Sequence, residues 1–211
     1  MTLEGKAAVV IGGTGGIGVE ICKKLLSSGI SKLAILDVNE LPPEAIANIT
    51  SCNPTAEFVS ARCDITNKSN LEDVIRSQVM EKFGYIDLLV NSAGTVDERD
   101  PGRLIAINLD DLIYKRTGVK CITICPGITD TTLLSKFFAG EDLLFPWMGS
   151  IATEVKKNYQ SQSPSAVGEC IVKAVSEGDN GSVWIVNGGL SYKLDISANQ
   201  FVMPSSTEIS E

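Results

Sequence analysis

Histidine is absent from all 211 residues of the chain. Histidine is the side chain that most often acts as a general base near neutral pH, and it is the commonest metal ligand in proteins. Its absence excludes Ser-His-Asp hydrolysis, cysteine nucleophiles activated by histidine, and zinc sites built on imidazole. We therefore predict no metal site.

Clusters of basic residues and long apolar runs are also missing. The chain has 18 lysines and arginines against 26 aspartates and glutamates, which gives a net charge of -8. Nucleic acid is not an expected partner, because neutralising its phosphates needs clustered Lys or Arg. No stretch approaches the roughly 18 apolar residues of a membrane-spanning helix, and residues 1–5 do not begin a signal peptide. We expect a cytoplasmic protein without membrane contact.

Paired cysteine motifs are a further absence, since the six cysteines include no C-x-x-C pair. A chain of this size does not need disulfides to hold a core together. We expect buried thiols in a reducing compartment. The six are Cys22, Cys52, Cys63, Cys121, Cys125 and Cys170.

The chain does contain enough apolar residues, 44% of the total, for one substantial core. Its length is small for two domains. We expect one dinucleotide-binding domain over residues 1–196, followed by a polar tail, 197–211, that is disordered.

Short apolar runs alternate with stretches of helical spacing along that domain. A strand at 6–11, a glycine turn, a helix ending near Gly29 and a strand at 32–37 form the first βαβ unit. This alternation predicts an α/β fold, a Rossmann-like doubly wound parallel sheet with helices on both faces. Further helices are expected at 43–49, 70–83, 103–114 and 166–176, and further strands at 57–63, 86–90, 119–125 and 182–186.

Large apolar side chains concentrate between residues 132 and 159. Such a cluster more often belongs to the core, and the alternative is a mobile lid over an apolar substrate. The cluster comprises Phe137, Phe138, Leu143, Leu144, Phe145, Trp147 and Met148.

The glycine turn after the first strand is typical of a phosphate site. Glycines at the start of a helix let the backbone approach a pyrophosphate closely. Asp37 lies 19 residues beyond Gly18, at the end of the second strand, where a carboxylate can accept hydrogen bonds from an adenosine ribose. A carboxylate about 4 Å from a 2'-phosphate would cost roughly 1 to 4 kcal/mol, and Val38 offers no compensating charge. These residues favour NAD over NADP.

Several motifs together resemble the classical short-chain dehydrogenase/reductase family, over about residues 3–194. The glycine turn has the family's G-x-x-x-G-x-G spacing at Gly12, Gly16 and Gly18. Asp64, in Cys63-Asp64-Ile65-Thr66, matches the acidic residue beside the adenine. Asn91-Ser92-Ala93-Gly94 matches the N-N-A-G motif, and Pro126-Gly127-Ile128-Thr129 matches the P-G turn beside the nicotinamide. Within the family, the local sequences around Gly127 and Trp184 are similar to those of insect alcohol dehydrogenases and 15-hydroxyprostaglandin dehydrogenases.

The resemblance implies an NAD-dependent oxidoreductase that interconverts an alcohol, of a lipophilic kind, and a carbonyl compound. It also implies homo-oligomers of the family type. Asn108 matches the helix asparagine that supports a proton-relay water in the family. The residues implied to bind the cofactor are Gly12, Thr14, Gly15, Gly16, Ile17, Gly18, Asp37, Asp64, Ile65, Asn91, Ala93, Gly94, Pro126, Gly127, Ile128 and Thr129.

The family's catalytic Ser and Tyr-x-x-x-Lys are not found in the chain. In the family they lie between the positions matched here by Asn108 and Pro126, but only 17 residues separate those two. A βαβ unit needs roughly 30 residues, so a strand and most of a helix are missing there. Tyr114 and Lys115 cannot replace the pair, because adjacent residues on a helix point about 100° apart. The form is expected to be catalytically impaired.

Two alternatives remain open from the sequence. Besides an impaired enzyme, the chain could be a non-catalytic NAD-binding or regulatory protein. It could also be an enzyme in which Tyr159 or Tyr192 replaces the missing tyrosine. We expect the strand at 119–125 to dock directly beside the strand at 86–90, which leaves the sheet one strand short. The helix faces that the family uses for dimerisation would then be disrupted.

Overall fold

The computed structural model describes residues 2–94, 122–139, 154, 161–179 and 182–194. The predicted helix at 103–114, Asn108, Tyr159 and the tail at 197–211 lie outside the described residues.

Four parallel strands form the first sheet, in the order β3-β2-β1-β4. All five residues of β1 are buried, as expected of a central parallel strand covered on both faces. With its flanking helices, this sheet confirms the predicted Rossmann-like class. The strands are β1 (Ala7–Ile11), β2 (Lys32–Asp37), β3 (Glu57–Arg62) and β4 (Leu88–Asn91).

The helices of this half follow the predicted order, with one difference. They are α1 (Gly16–Ser27), α2 (Pro43–Thr50), α3 (Lys68–Val74), a π-helical segment (Ile75–Met80) and α4 (Glu81–Phe83). The predicted continuous helix at 70–83 is therefore interrupted by the π-helical segment. Val74 and Val79 are both buried, although residues five apart diverge by about 140° on a regular α-helix. The wider π-helical turn brings both onto the core face.

A second sheet, in the order β5-β6-β7, holds the C-terminal strands. β5 (Ile122–Pro126) pairs parallel with β6 (Ser182–Asn187), which pairs antiparallel with β7 (Leu190–Leu194). β7 was not predicted. Gly188 and Gly189 form the two-residue turn of this hairpin, with φ of 57° and 83°, and a Gly-Gly pair between apolar runs is a hairpin signal.

The prediction that β5 docks directly beside β4 is wrong for the described strands, since β5 pairs with β6 and lies in the other sheet. That prediction considered only the length of the connection. The position of β5 is set instead by its pairing with β6 and by the helix that packs behind them. Neither β4 nor β5 has a buried residue, and Leu89 of β4 is 45% exposed.

Packing between α1 and α6 (Pro164–Glu177) joins the two sheets into one core. Leu25 of α1 and Ala174 of α6 are fully buried in this cluster, together with Val10 from the first sheet and Val186 from the second. The helices touch closely at Gly168, where an added Cβ would lie 3.0 Å from the Glu20 carbonyl oxygen.

Two expectations about side-chain burial are corrected. Cys22, Cys63 and Cys170 are buried thiols, but Cys52 is half-buried and Cys125 is exposed on the edge strand β5. Burial raises the pKa of Cys22 to about 12. The helix α5 (Thr132–Ala139) has no buried residue, so a core position is wrong for Phe137 and Phe138. The rest of that apolar cluster lies outside the described residues.

Substitution of Gly168 by valine is expected to lower the free energy of unfolding by about 1 to 3 kcal/mol, because its side chain would press on the backbone of α1. Urea denaturation provides the measurement. Ser176→Val, at an exposed position of the same helix, is the control and should change stability by less than about 0.5 kcal/mol. If the two substitutions changed the free energy of unfolding equally, the close approach of α6 to α1 at Gly168 would be contradicted.

Asp87 ties the start of β4 to the start of β1. Its carboxylate accepts hydrogen bonds from the Ala7 N–H at 2.9 Å and from the Lys6 ammonium at 3.0 Å. Burial disfavours the charged carboxylate, but these two hydrogen bonds and the Lys6 charge together outweigh it and lower the pKa of Asp87. A lowered pKa contributes stability above the carboxyl's ordinary pKa, about 4, and that stability is lost as the pH falls through the lowered value.

Asp87→Asn is therefore expected to destabilise the protein by about 1 kcal/mol at pH 7, with the difference from the natural chain shrinking below about pH 4. Urea denaturation over a series of pH values measures this. Asp73→Asn, at an exposed position on α3, should give no such pH-dependent difference. A difference that stayed constant with pH would contradict the role of the Asp87 charge.

Candidate functional site

The turn between β1 and α1 packs against the end of β4. Gly12 adopts φ of 73°, and an added Cβ there would lie 2.5 Å from the Ala93 nitrogen. At Gly18 an added Cβ would overlap the Gly12 carbonyl oxygen and lie 2.7 Å from the Gly13 Cα. Real Cβ atoms do not tolerate such contacts with backbone, so both positions require glycine.

The first turn of α1 is open to a ligand. Its N-cap is Gly15, which has no side chain to bond the free N–H groups of the helix. An uncapped helix N-terminus presents N–H donors and the positive end of the helix dipole, which together favour an anion such as a phosphate.

Asp37 lies at the end of β2 and is 9% exposed. One carboxylate oxygen accepts the Thr14 N–H at 3.1 Å, and the other accepts the Asn39 N–H at 3.0 Å and the Asn39 side-chain amide at 3.3 Å. A carboxylate accepts about four hydrogen bonds, so capacity remains for a donor from a ligand. Asp37 therefore holds the glycine turn and also faces the cavity beside it.

That cavity, which we call the Asp37 cavity, has a volume of about 520 Å³. Eleven of the residues that the sequence assigned to cofactor binding line it: Gly12, Thr14, Gly15, Gly16, Ile17, Gly18, Asp37, Asp64, Ile65, Ala93 and Gly94. The twelfth of this half, Asn91, lies at the end of β4, where its side-chain oxygen accepts the Ala93 N–H at 3.1 Å. Asn91 therefore shapes the turn that carries Ala93. Asn108 lies outside the described residues.

A second cavity of about 680 Å³, the Phe138 cavity, adjoins the first. Gly16, Thr131 and Thr132 line both. An added Cβ on Gly16 would lie 3.2 Å from the Thr131 side chain, so the loop after β5 lies directly against the glycine turn. The remaining lining residues are Ile128, Asp130, Leu134, Ser135, Phe138, Ala139 and Ser161.

Only part of the predicted P-G segment, residues 126–129, lines this cavity. Ile128 lines the Phe138 cavity, whereas Pro126 ends β5 and the Gly127 N–H donates to the Val186 carbonyl at 2.8 Å. Thr129 is 6% exposed, and its hydroxyl donates to the Gly127 carbonyl at 2.8 Å. Thr129 therefore braces the loop from inside and does not line either cavity.

Other residues at the site were not found from the sequence. Arg62 of β3 is paired with Asp37, and its guanidinium donates to the Val38 carbonyl at 3.1 Å. Strand register therefore places the exposed Arg62 beside the segment that carries Asp37, although Arg62 is not among the described residues that line the cavity. Cys63 lines the Asp37 cavity; burial and the negative charge of Asp64 raise its pKa.

The chemistry available in the two cavities is limited. Their described linings offer carboxylates, hydroxyls, backbone N–H groups and apolar side chains, but no tyrosine or lysine. Tyr192 lies on β7 and is not among the residues that line either cavity. Over the described ranges, no three Cys, Asp or Glu side chains are grouped to hold a metal ion. No helix of the described part is long and apolar enough to span a membrane.

Comparison with known sequences identifies relatives. The family model described as short chain dehydrogenase matches residues 6–113, just over half of the chain. Alcohol dehydrogenase 1 of Ceratitis capitata is 26% identical over 252 residues, covering 92% of this chain and 96% of the relative. The alcohol dehydrogenase-related 31 kDa protein of Drosophila lebanonensis is 26% identical and covers 89% of each chain.

Solved structures share the fold. A short-chain dehydrogenase/reductase from Serratia marcescens superposes with a TM-score of 0.65 at 18% identity, covering 90% of this chain and 99% of that one. A Brucella melitensis protein described as a short-chain dehydrogenase/reductase, glucose/ribitol dehydrogenase, gives a TM-score of 0.66 at 18% identity, with 89% and 97% covered. Together with the family model and the insect relatives, this fold shows that the chain belongs to the short-chain dehydrogenase family of oxidoreductases.

Proposed function

We propose that the chain binds NAD, with the ADP-ribose half in the Asp37 cavity and the nicotinamide half in the Phe138 cavity. The observation that carries the proposal is Asp37, a nearly buried carboxylate that faces the cavity and keeps a free acceptor position. Ribose hydroxyls are suitable donors for it. Short-chain dehydrogenases use nicotinamide cofactors, which agrees with this assignment.

The residues present fit a dinucleotide. The pyrophosphate would lie at the uncapped N-terminus of α1 beside Gly15, where an added Cβ would meet only the Gly12 carbonyl oxygen, at 3.6 Å. The nicotinamide ring would lie beside Ile128 and the two threonines that both cavities share. When bound, NAD would supply a hydride acceptor; the residues described here would bind and orient it.

The charges around the ribose favour NAD over NADP. A 2'-phosphate facing Asp37 at about 4 Å would cost roughly 1 to 4 kcal/mol. Arg62 lies on the neighbouring strand and would offset part of that repulsion. We therefore expect the preference for NAD over NADP to lie towards the lower end of this free-energy range.

We further infer that catalysis is impaired. The sequence contains no Tyr-x-x-x-Lys, and no tyrosine or lysine is among the described lining residues. The family match stops at residue 113, where the sequence places the missing strand and helix. The alignment to the Ceratitis relative spans 252 residues, more than the 211 of the whole chain, so that relative has residues without a counterpart here.

Loss of the catalytic pair removes proton transfer at the alcohol oxygen. General acid–base catalysis is typically worth about 10² to 10⁴ in rate. Hydride transfer from an alcohol also requires its hydroxyl proton to leave, so the redox step would be slowed by a similar factor. A lipophilic alcohol suits Leu134 and Phe138 in the lining. The lack of a proton-transfer pair among the described lining residues also favours the second candidate, an NAD-binding protein without catalytic function.

Asp37→Ala is expected to weaken NAD binding by about tenfold to a hundredfold, because hydrogen bonds to a charged group contribute about 1.5 to 3 kcal/mol. Isothermal titration calorimetry measures the change. Asp73→Ala removes the same side chain from an exposed position on α3 and should leave NAD affinity unchanged. Unchanged affinity in Asp37→Ala, or no binding of NAD by the natural chain, would contradict the proposed site.

Oxidation of primary and secondary alcohols with NAD is expected to proceed with a kcat/KM at least about 10² lower than that of the Ceratitis alcohol dehydrogenase under the same conditions. NADH absorbance follows the reaction. Tyr192→Phe and Tyr159→Phe should not change any residual rate. Rates equal to those of the relative, abolished by either substitution, would show that another tyrosine has taken over proton transfer.

A further inference from the structure

Gln162 is a buried polar residue with no part in the cavities. It precedes α6 and is 4% exposed, and it is not among the residues that line either cavity. Burying an amide side chain is unfavourable unless its hydrogen-bonding groups are satisfied. Its position therefore needs an explanation from its partners.

The side chain of Gln162 connects three segments. Its amide nitrogen donates to the Val186 carbonyl at 2.8 Å and to the Thr129 hydroxyl at 3.3 Å, and its carbonyl oxygen accepts the Gly189 N–H at 3.1 Å. A carbonyl can only accept and a backbone N–H can only donate, so these partners fix the orientation of the amide. The end of β6, the β6–β7 turn and the loop after β5 are held at one point.

The backbone of Gln162 also forms hydrogen bonds to the loop after β5. Its N–H donates to the Ile128 carbonyl and its carbonyl accepts the Asp130 N–H, at 2.8 and 2.9 Å. Ile128 and Asp130 both line the Phe138 cavity, while Thr129 between them points inwards onto the Gln162 amide. The wall of the cavity is therefore bonded on its inner side to Gln162.

We propose that Gln162 is a positioning residue that sets the geometry of residues 127–130 and thereby the binding of the nicotinamide half of the cofactor. It acts through Ile128 and Asp130 and does not touch the ligand. None of the described residues that line the Asp37 cavity is hydrogen-bonded to Gln162, and only Thr131 and its neighbours reach that cavity from the loop, so binding of the ADP-ribose half should depend on Gln162 much less. The ligand-binding part of this inference rests on the proposed NAD site.

Gln162→Leu tests the inference, because it keeps the side-chain volume and removes every side-chain hydrogen bond. NAD and ADP-ribose are titrated separately by calorimetry. NAD affinity is expected to fall by about tenfold towards that of ADP-ribose, while ADP-ribose affinity stays within about twofold. Equal losses for both ligands, or an unchanged NAD affinity, would overturn the proposal. Ser163→Ala, at the exposed neighbouring position, is the control and should change neither affinity.

Gln162→Glu adds a readout that loss of stability alone does not produce. Its carboxylate cannot donate to the Val186 carbonyl, whereas its protonated form can. The ratio of NAD affinity to ADP-ribose affinity should therefore be low at neutral pH and should recover as the pH is lowered. A ratio that is independent of pH would contradict a role for the donated hydrogen bond.

Hydrogen exchange of the ligand-free protein separates this inference from the proposed function. In Gln162→Leu, peptides that cover residues 126–131 should exchange faster, and peptides that cover β1 should not change. Faster exchange in a chain that binds neither ligand would leave the positioning role intact and refute the NAD site. Unchanged exchange at 126–131 would overturn the positioning role whatever the ligands do.

Discussion

The packing of α1 against α6 is the contact on which the rest of the described structure depends. The two described sheets share no strand pairing, so the second sheet is held to the first through these helices and the core between them. Gly168 lets the helix backbones approach closely, and Leu25 and Ala174 are buried where they meet. The site depends on this contact, because the Asp37 cavity belongs to the first sheet and the loop of the Phe138 cavity belongs to the second. With the helices packed, the Thr131 side chain lies directly against Gly16.

Local patterns were enough to predict the first sheet and to select residues that the structure brings together around one cavity. The strands of the first βαβ unit are continuous apolar runs, and the glycine turn between strand and helix has the spacing typical of a dinucleotide site. Eleven predicted cofactor residues line one cavity for this reason. The interrupted helix before β4 was not predicted, because a helical pattern does not reveal that Val74 and Val79 must both face the core.

Features that depend on contacts between distant segments could not be predicted in the same way. The location of β5 follows from its partner β6, which lies about sixty residues further along the chain, and no local pattern encodes that pairing. Arg62 approaches Asp37 through strand register, and Gln162 was overlooked because polar residues before a helix are usually solvated. Thr129 shows the opposite case: it matches a motif, but its side chain turns inwards.

The distance along the chain between α1 and α6 also has a consequence for biosynthesis. Lys24 and Glu169, which form an ion pair across the two helices, are separated by 145 residues. Ribosomes add about 5 to 20 residues per second, so α1 emerges on the order of ten seconds before its packing partner exists. During that interval α1 can already pack on the buried residues of β1 and β2, but the part of its surface that contacts α6 stays uncovered. The finished core therefore needs a contact that forms only after most of the chain has been made, which is a constraint on folding that the stability of the completed fold does not measure.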